Sequence, residues 1–240
     1  GVNFTPAAAQ VNQALRVQVS FTDNEGFPNT LFTTATDGTG DRNLAGIGLD
    51  RLGLGNETIN GTAYADNLSG GLGSDTMSGN AGDDRISWSA TAITTDGRDI
   101  VDGGTGNDTF VVNGNATAEV FRVYARTNFL AANPAAVLNA TTEIVITRNG
   151  TTNASVIAEL RGIEEIVINT GAGADTVTPI GNFNPTSLNF NTITINGSAD
   201  SNVVDISELE SAHRIHFRTQ GGADYVVGNL RPQDVIDIRC

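Results

Sequence analysis

Lysine is missing from this 240-residue sequence: all 13 basic side chains are Arg, set against 27 Asp and Glu, for a net charge of −14. So acidic a chain lacks the basic patch that nucleic acid or an anionic membrane surface requires. Without lysine there is no GxxxxGK[ST] phosphate-cradling loop either. The one cysteine, Cys240, excludes an internal disulfide framework and a CxxC zinc knuckle. Only His213 and His216 are available for imidazole-based metal or haem chemistry. No apolar run approaches the roughly 20 residues of a spanning helix, so no membrane insertion is expected. Aromatics make up 6% of the chain, with one Trp. Glycine is plentiful instead: 28 of 240, about 12% against a usual share of about 7%. A hydrophobic content of 39% is enough for a thin core.

The glycines are periodic. Residues 52–60, 61–69, 70–78 and 79–87 read LGLGNETIN, GTAYADNLS, GGLGSDTMS and GNAGDDRIS. All follow one nine-residue template, G-G-x-G-x-D-x-U-x, in which U is a large apolar residue. Slot six holds Glu57, Asp66, Asp75 and Asp84; slot eight holds Ile59, Leu68, Met77 and Ile86. A fifth copy, GGTGNDTFV at 103–111, carries Asp108 and Phe110, and a weak one at 94–102 carries Asp99 and Val101. The stretch Trp88 to Ile93 breaks the frame and reads as a loop.

This pattern has a chemical reading. Glycine lets a turn adopt angles that face successive carbonyls inward, the slot-six acid adds a carboxylate, and the x-U-x triplet forms a short strand with U toward the core. One nonapeptide makes one turn and one strand, so two complete a coil of 18 residues. Turns of repeats i and i+2 then stack, pairing Glu57 with Asp75 and Asp66 with Asp84. Adjacent rungs sit about 4.8 Å apart, close enough for two carboxylates to share one cation. Calcium, a hard ion wanting about six to eight oxygens, fits such a turn.

Residues 52–111 resemble the haemolysin-type (RTX) calcium-binding repeats of secreted bacterial proteins. The resemblance implies a parallel β-roll, export by type I secretion, and an extracellular location. It also implies a ligand set: carbonyls of slots two and four with the slot-six acid, facing slots one, three and six of repeat i+2. Carried onto this chain, the first site takes Gly53, Gly55 and Glu57 with Gly70, Leu72 and Asp75. The second takes Thr62, Tyr64 and Asp66 with Gly79, Ala81 and Asp84. Gly71, Gly73 and Gly82 complete the turns, and Gly104, Gly106 and Asp108 match with a partner turn left open by the 88–93 insertion. Thr62 and Tyr64 stand where the template has glycine, and Glu57 where it has Asp.

The remaining sequence is less regular. The alternating run Leu15 to Phe21, a turn at Asp23-Asn24-Glu25-Gly26 and a second run from Thr30 to Thr36 read as a hairpin, similar to the end of a bacterial Ig-like domain. A strand at Val120 to Tyr124 is followed by a short helix over Phe129 to Asn139, interrupted by Pro134. Then comes a hairpin, Glu143–Thr147 and Ala154–Leu160 joined through Asn149-Gly150. From 166 a degenerate solenoid resumes, with apolar steps at Ile166/Ile168, Val177, Ile193/Ile195, Val204/Ile206, Ile215/Phe217, Tyr225/Val227 and Ile236/Ile238.

The expected architecture is therefore all-β. It comprises an Ig-like end (1–40), a calcium-binding β-roll (41–111), a strand and hairpin insertion (112–165) and a degenerate β-solenoid (166–240). Asp175, Asn202 and Asp224 lie in weakened turns and read as ordinary turn residues. His213 and His216 read as packing or surface groups, and Glu164 and Glu165 as pointing to opposite faces of a strand. The expected role is non-catalytic: calcium-triggered folding of a module that stabilises a larger secreted parent chain. Three alternatives stand beside it; one, an epimerase-type module that binds an anionic polysaccharide, has 13 scattered Arg and a net charge of −14 against it. The run EIVITRNG to GAGADTV, with SAHRIHFRTQGGAD, is similar to the tails of large secreted proteins bearing an animal-type haem peroxidase domain. An adhesin or surface-layer segment would instead present Tyr64, Trp88 or Tyr225 to a cell surface or glycan.

Overall fold

The structure is a computed structural model that describes the backbone of residues 18–22, 28–33 and 47–53, and full residues over 55–90, 96–189 and 193–238. The turn expected at Asp23 to Gly26, the loop centre near Ile93, and Cys240 lie outside the described residues.

Strands dominate. In chain order they are β1 (Gln18–Thr22), β2 (Pro28–Thr33), β3 (Ile47–Gly53), β4 (Thr58–Asn60), β5 (Asn67–Gly71), β6 (Thr76–Ala81), β7 (Arg85–Ser89), β8 (Asp99–Thr105), β9 (Thr109–Asn113) and β10 (Val120–Ala125). After helix α1 (Arg126–Ala132) follow β11 (Ile144–Arg148), β12 (Val156–Arg161), β13 (Glu165–Asn169), β14 (Thr176–Ile180) and β15 (Ile193–Asn196). The last four are β16 (Val203–Asp205), β17 (Ile215–Thr219), β18 (Tyr225–Val227) and β19 (Val235–Ile238). Among the described residues no helix is long and apolar enough to cross a membrane.

The chain winds between two sheets. One runs β1-β2-β3-β5-β7-β9-β13-β15-β17-β19 and the other β18-β16-β14-β10-β11-β12-β8-β6-β4. Successive rungs pair in parallel, Thr58 opposite Thr76 and Asn67 opposite Arg85, so the coil of two nonapeptides is present. After the insertion the separation grows by six residues, Thr76 facing Ile100 and Arg85 facing Thr109, yet every apolar slot stays in register. Ile59, Leu68, Met77, Ile86, Val101 and Phe110 all point inward and are buried in one core. That core continues through Ile166, Ile168, Val177, Ile193, Ile195, Val204, Ile215 and Phe217.

The hairpin is spliced into the second sheet rather than hung beside it. From β9 the chain goes to β10, returns antiparallel along β11 and β12, and β12 then pairs in parallel with β8. β13 follows against β9 and β14 against β10. The second sheet thus gains two strands that the first does not have, a difference of roughly 10 Å at about 4.8 Å per strand. At its turn Asn149 takes the left-handed conformation (φ 54°), which Asn tolerates. At the other end of the stack the β1–β2 hairpin is present, and β2 pairs antiparallel with β3, so hydrogen bonds cross the boundary expected at residue 40.

Three details differ from expectation. The helix begins at Arg126 and ends at Ala132, because a proline at 134 disfavours the helical region for Asn133. Trp88 belongs to β7, not to a loop: alternation along the strand puts it on the same face as Ile86, and it is fully buried. In β18 the phase is reversed, with Tyr225 and Val227 exposed and Val226 packed on the core.

Candidate metal centre

Each turn of the roll delivers its slot-six acid to the start of a strand, where the next coil receives it. The Glu57 amide donates to Asp75 Oδ1 at 2.6 Å, and the Asp75 amide to Asp99 Oδ1 at 2.9 Å. On the other edge the Asp66 amide donates to Asp84 Oδ1 at 2.7 Å, and Asp84 to Asp108 Oδ1 at 2.8 Å. The pairs read from the spacing are therefore in contact. The partner of the Asp108 turn, left open in the sequence, is the Asp84 turn.

These acids are buried: Asp66, Asp75, Asp84, Asp99 and Asp108 are at most 2% exposed. The second oxygens of Asp84, Asp99 and Asp108 are buried and have no hydrogen-bond partner among the described residues. Burial drives the carboxyls of Asp84, Asp99 and Asp108 toward the neutral form. It lifts Asp84 to about 6 and Asp108 above its usual value, and Asp99, also facing the charge of Asp96, to about 9. A buried carboxylate oxygen left without a donor is costly unless a cation or a proton meets it.

The glycines make room beside those oxygens. A side chain at Gly70 would fall on Asp75 Oδ2, and one at Gly79 on both Asp84 Oδ2 and the Gly103 carbonyl. A side chain at Gly103 would crowd Asp108 Oδ2 and the Gly162 carbonyl. Gly73, at φ 130°, packs against the Gly55 carbonyl, Gly106 against that of Gly82, and Gly104 against that of Asn80. Gly53 pairs with Gly71 along β3 and β5. Thr62 offers its carbonyl to the Ala81 amide at 3.4 Å, and the Tyr64 backbone lies against Gly82. Leu72 lies between Gly71 and Gly73 on the Asp75 turn. Carboxylates and inward carbonyls converging on a side-chain-free cradle form the all-oxygen donor set a hard divalent cation takes.

One turn differs. Thr62, in place of glycine, donates its amide to Asp66 Oδ2, and its hydroxyl lies 3.1–3.2 Å from both carboxylate oxygens. This loop satisfies its own acid from within.

The ladder runs further than the repeat. The Asp108 amide donates to Glu164 Oε2 at 2.8 Å, so Glu164, outside any Gly-rich turn, takes the next position on that edge. On the other edge the ladder resumes beyond the hairpin: the Glu119 amide donates to Asp175, that of Asp175 to Asn202, and that of Asn202 to Asp224. The weakened turns therefore keep the stacking bond of the regular ones. Here guanidinium groups meet part of the charge: Arg148 pairs with the buried Glu119, and Arg98 with Glu159 at 2.6 Å. His213 is buried, its Nε2 bonded to the Leu188 carbonyl and its Nδ1 to Ser211 Oγ, and serves packing.

Of the three residues named as a surface platform, Tyr64 and Tyr225 are exposed, but Trp88 is not; its indole N–H donates to the Gly97 carbonyl inside the fold.

Compared with known families, residues 53–86 and 91–115 match the RTX calcium-binding nonapeptide repeat in four copies. The match spans about a quarter of the chain, 34 and 25 residues of 240. Neither curated proteins nor solved structures gave a match.

Proposed function

We propose, from the premise that 53–86 and 91–115 are RTX repeats and bind calcium, that this region is a folding switch within a secreted protein. RTX repeats are a calcium-binding module and not a catalytic one. The observation that carries the switch is the row of buried carboxylate oxygens without donors at Asp84, Asp99 and Asp108. Two charges about 4.8 Å apart repel by about 3.5 kcal/mol at an effective dielectric of about 20, and a bridging cation turns that repulsion into ligation. One or two inward apolar side chains per short strand are too little to offset chain entropy unaided. Binding energy is then folding energy.

The first ion lies between Gly53, Gly55 and Glu57 on one side and Gly70, Leu72 and Asp75 on the other. The second lies between Thr62, Tyr64 and Asp66 and Gly79, Ala81 and Asp84. A third joins the Asp84 turn to that of Gly104, Gly106 and Asp108. Extracellular calcium modules work at about 10⁻⁴–10⁻³ M, far above cytosolic calcium, so the roll stays open in a bacterial cell and closes outside. That behaviour suits type I secretion of a larger parent chain, with 41–111 as the switch and 112–240 as the scaffold it docks on.

Far-ultraviolet circular dichroism of the full chain during a calcium titration tests this. Strand signal should grow through the submillimolar range and be lost on adding chelator. A strand signal indifferent to chelator overturns the switch.

A further inference from the structure

The repeat copy that follows the six-residue insertion carries a carboxylate beyond its slot-six acid. Asp96 occupies slot three of the 94–102 copy, where the family resemblance implies only a main-chain carbonyl. It is 5% exposed, and its ligand atom lies within 4.8 Å of those of Asp75 and Asp99. Asp99 is fully buried, with one oxygen taken by the Asp75 amide and the other without a hydrogen-bond partner among the described residues. Asp96 is held in place by the Gly97 amide at 2.8 Å and, at 3.5 Å, by that of Ser89.

The cation closest in sequence does not serve this cluster. Arg98 lies between Asp96 and Asp99 in the chain, yet its guanidinium points to Glu159, Asn153 and the Val137 carbonyl. Three buried carboxyls thus converge while the adjacent positive charge is directed elsewhere.

We infer that Asp75, Asp96 and Asp99 hold a calcium ion in a three-carboxylate site, the tightest of the roll and the first to fill. The inference rests on the calcium-binding reading above and adds to it a ligand, Asp96, that the slot pattern does not supply. More carboxylates around one cation tighten it, which is how calcium loops tune affinity. Trp88 reports on the site: its indole is bonded at 3.0 Å to the carbonyl of Gly97, next to Asp96, and it is the only Trp in the chain.

The test uses terbium as the calcium probe on the calcium-free full chain, with emission sensitised through tryptophan-selective excitation. In the unmutated chain the first equivalent should give the largest step in sensitised emission. Asp96→Asn should raise the half-saturating concentration of that step about tenfold. Glu208→Gln, an exposed acid in the distant half, should leave it within twofold. Circular dichroism at saturating calcium checks that each variant folds; if Asp96→Asn does not, the order of filling in the unmutated chain decides. A first equivalent that leaves Trp88-sensitised emission flat overturns the inference, as does an Asp96→Asn titration superimposed on the original. Calorimetry separates the two readings: no ion uptake at all removes the calcium module itself, whereas uptake without an Asp96 effect removes only this site.

Discussion

Residues 55–113 and residues 119–238 build the same rung and the same turn but neutralise buried negative charge by different means. In the first region Asp84, Asp99 and Asp108 make no ion pair among the described residues, and each keeps an oxygen without a donor. In the second, Glu119 is met by Arg148, Glu159 by Arg98, and Asp234 by Arg231. Apolar burial also differs: β11 buries Ile144, Val145 and Ile146 and β12 buries Val156, Ile157, Ala158 and Leu160, whereas β4 buries Ile59 alone. A cation carried on the chain neutralises the acid whatever the solution contains. A cation drawn from solution makes the fold conditional. The comparison teaches that a β-solenoid can be permanent or switchable according to where its positive charge resides. Asp175 and Asp224 keep donor-free oxygens inside the second region, so the border between the two means is not sharp.

Chelation should separate the regions most strongly. Three sites filled to ten times their dissociation constant add about 4 kcal/mol, at about 1.4 kcal/mol each. Amide exchange in β5 to β9 should therefore accelerate on the order of 10³-fold in chelator, while β11, β12, β13 and β15 keep most of their protection. Equal acceleration in both regions would break the comparison.

Acidity provides a second lever. Burial raises Asp99 to about 9, Asp96 to about 7, and Asp84 and Asp175 to about 6, against 3.8 in an open chain. The calcium-free folded chain then binds more protons than the unfolded one between about pH 4 and pH 9, and its stability falls as pH rises through that window. With calcium the trend reverses at the acid end, where protons displace the ion. Urea midpoints at pH 5 and pH 8, with and without calcium, should cross.

Arg148→Met leaves Glu119 buried without its guanidinium and should cost about 3–5 kcal/mol with or without calcium. Urea unfolding in both conditions measures it, and a cost that appears only with calcium would contradict the assignment of this charge to the chain. Asp84→Asn gives the smallest effect and the sharpest one. It should cost up to about 3 kcal/mol in calcium, because Asp84 serves both the second and the third site at about 1.4 kcal/mol each, yet be neutral or stabilising in chelator because it removes a repelling charge.

Much of this was legible in the sequence. The slot spacing gave the coil of 18 residues, the pairs Glu57–Asp75 and Asp66–Asp84, and the inward apolar row, because each is a property of a constant period. What escaped depended on contacts far apart in the chain. Glu164 sits in GIEEI, with no glycine turn to mark it, and joins the ladder only because β13 stacks on β9. Asp96 fills a slot the template leaves open to any residue, so its carboxylate carried no signal until folding brought it beside Asp75 and Asp99. Trp88 reads as loop in the sequence because the frame ends at Ser87, whereas the strand runs two residues further. The splice of β11 and β12 follows from a choice of neighbours that local alternation does not encode; the hairpin itself was clear.

The jump in rung separation from 18 to 24 residues, with no slip in strand pairing, has a practical corollary. The added residues fall between β7 and β8, and the pairing of the rungs on either side is the same as without them. Junctions of this kind are therefore ports where foreign peptides can be grafted, while trimming or adding a single residue inside an x-U-x triplet would turn the apolar row outward and dismantle everything downstream.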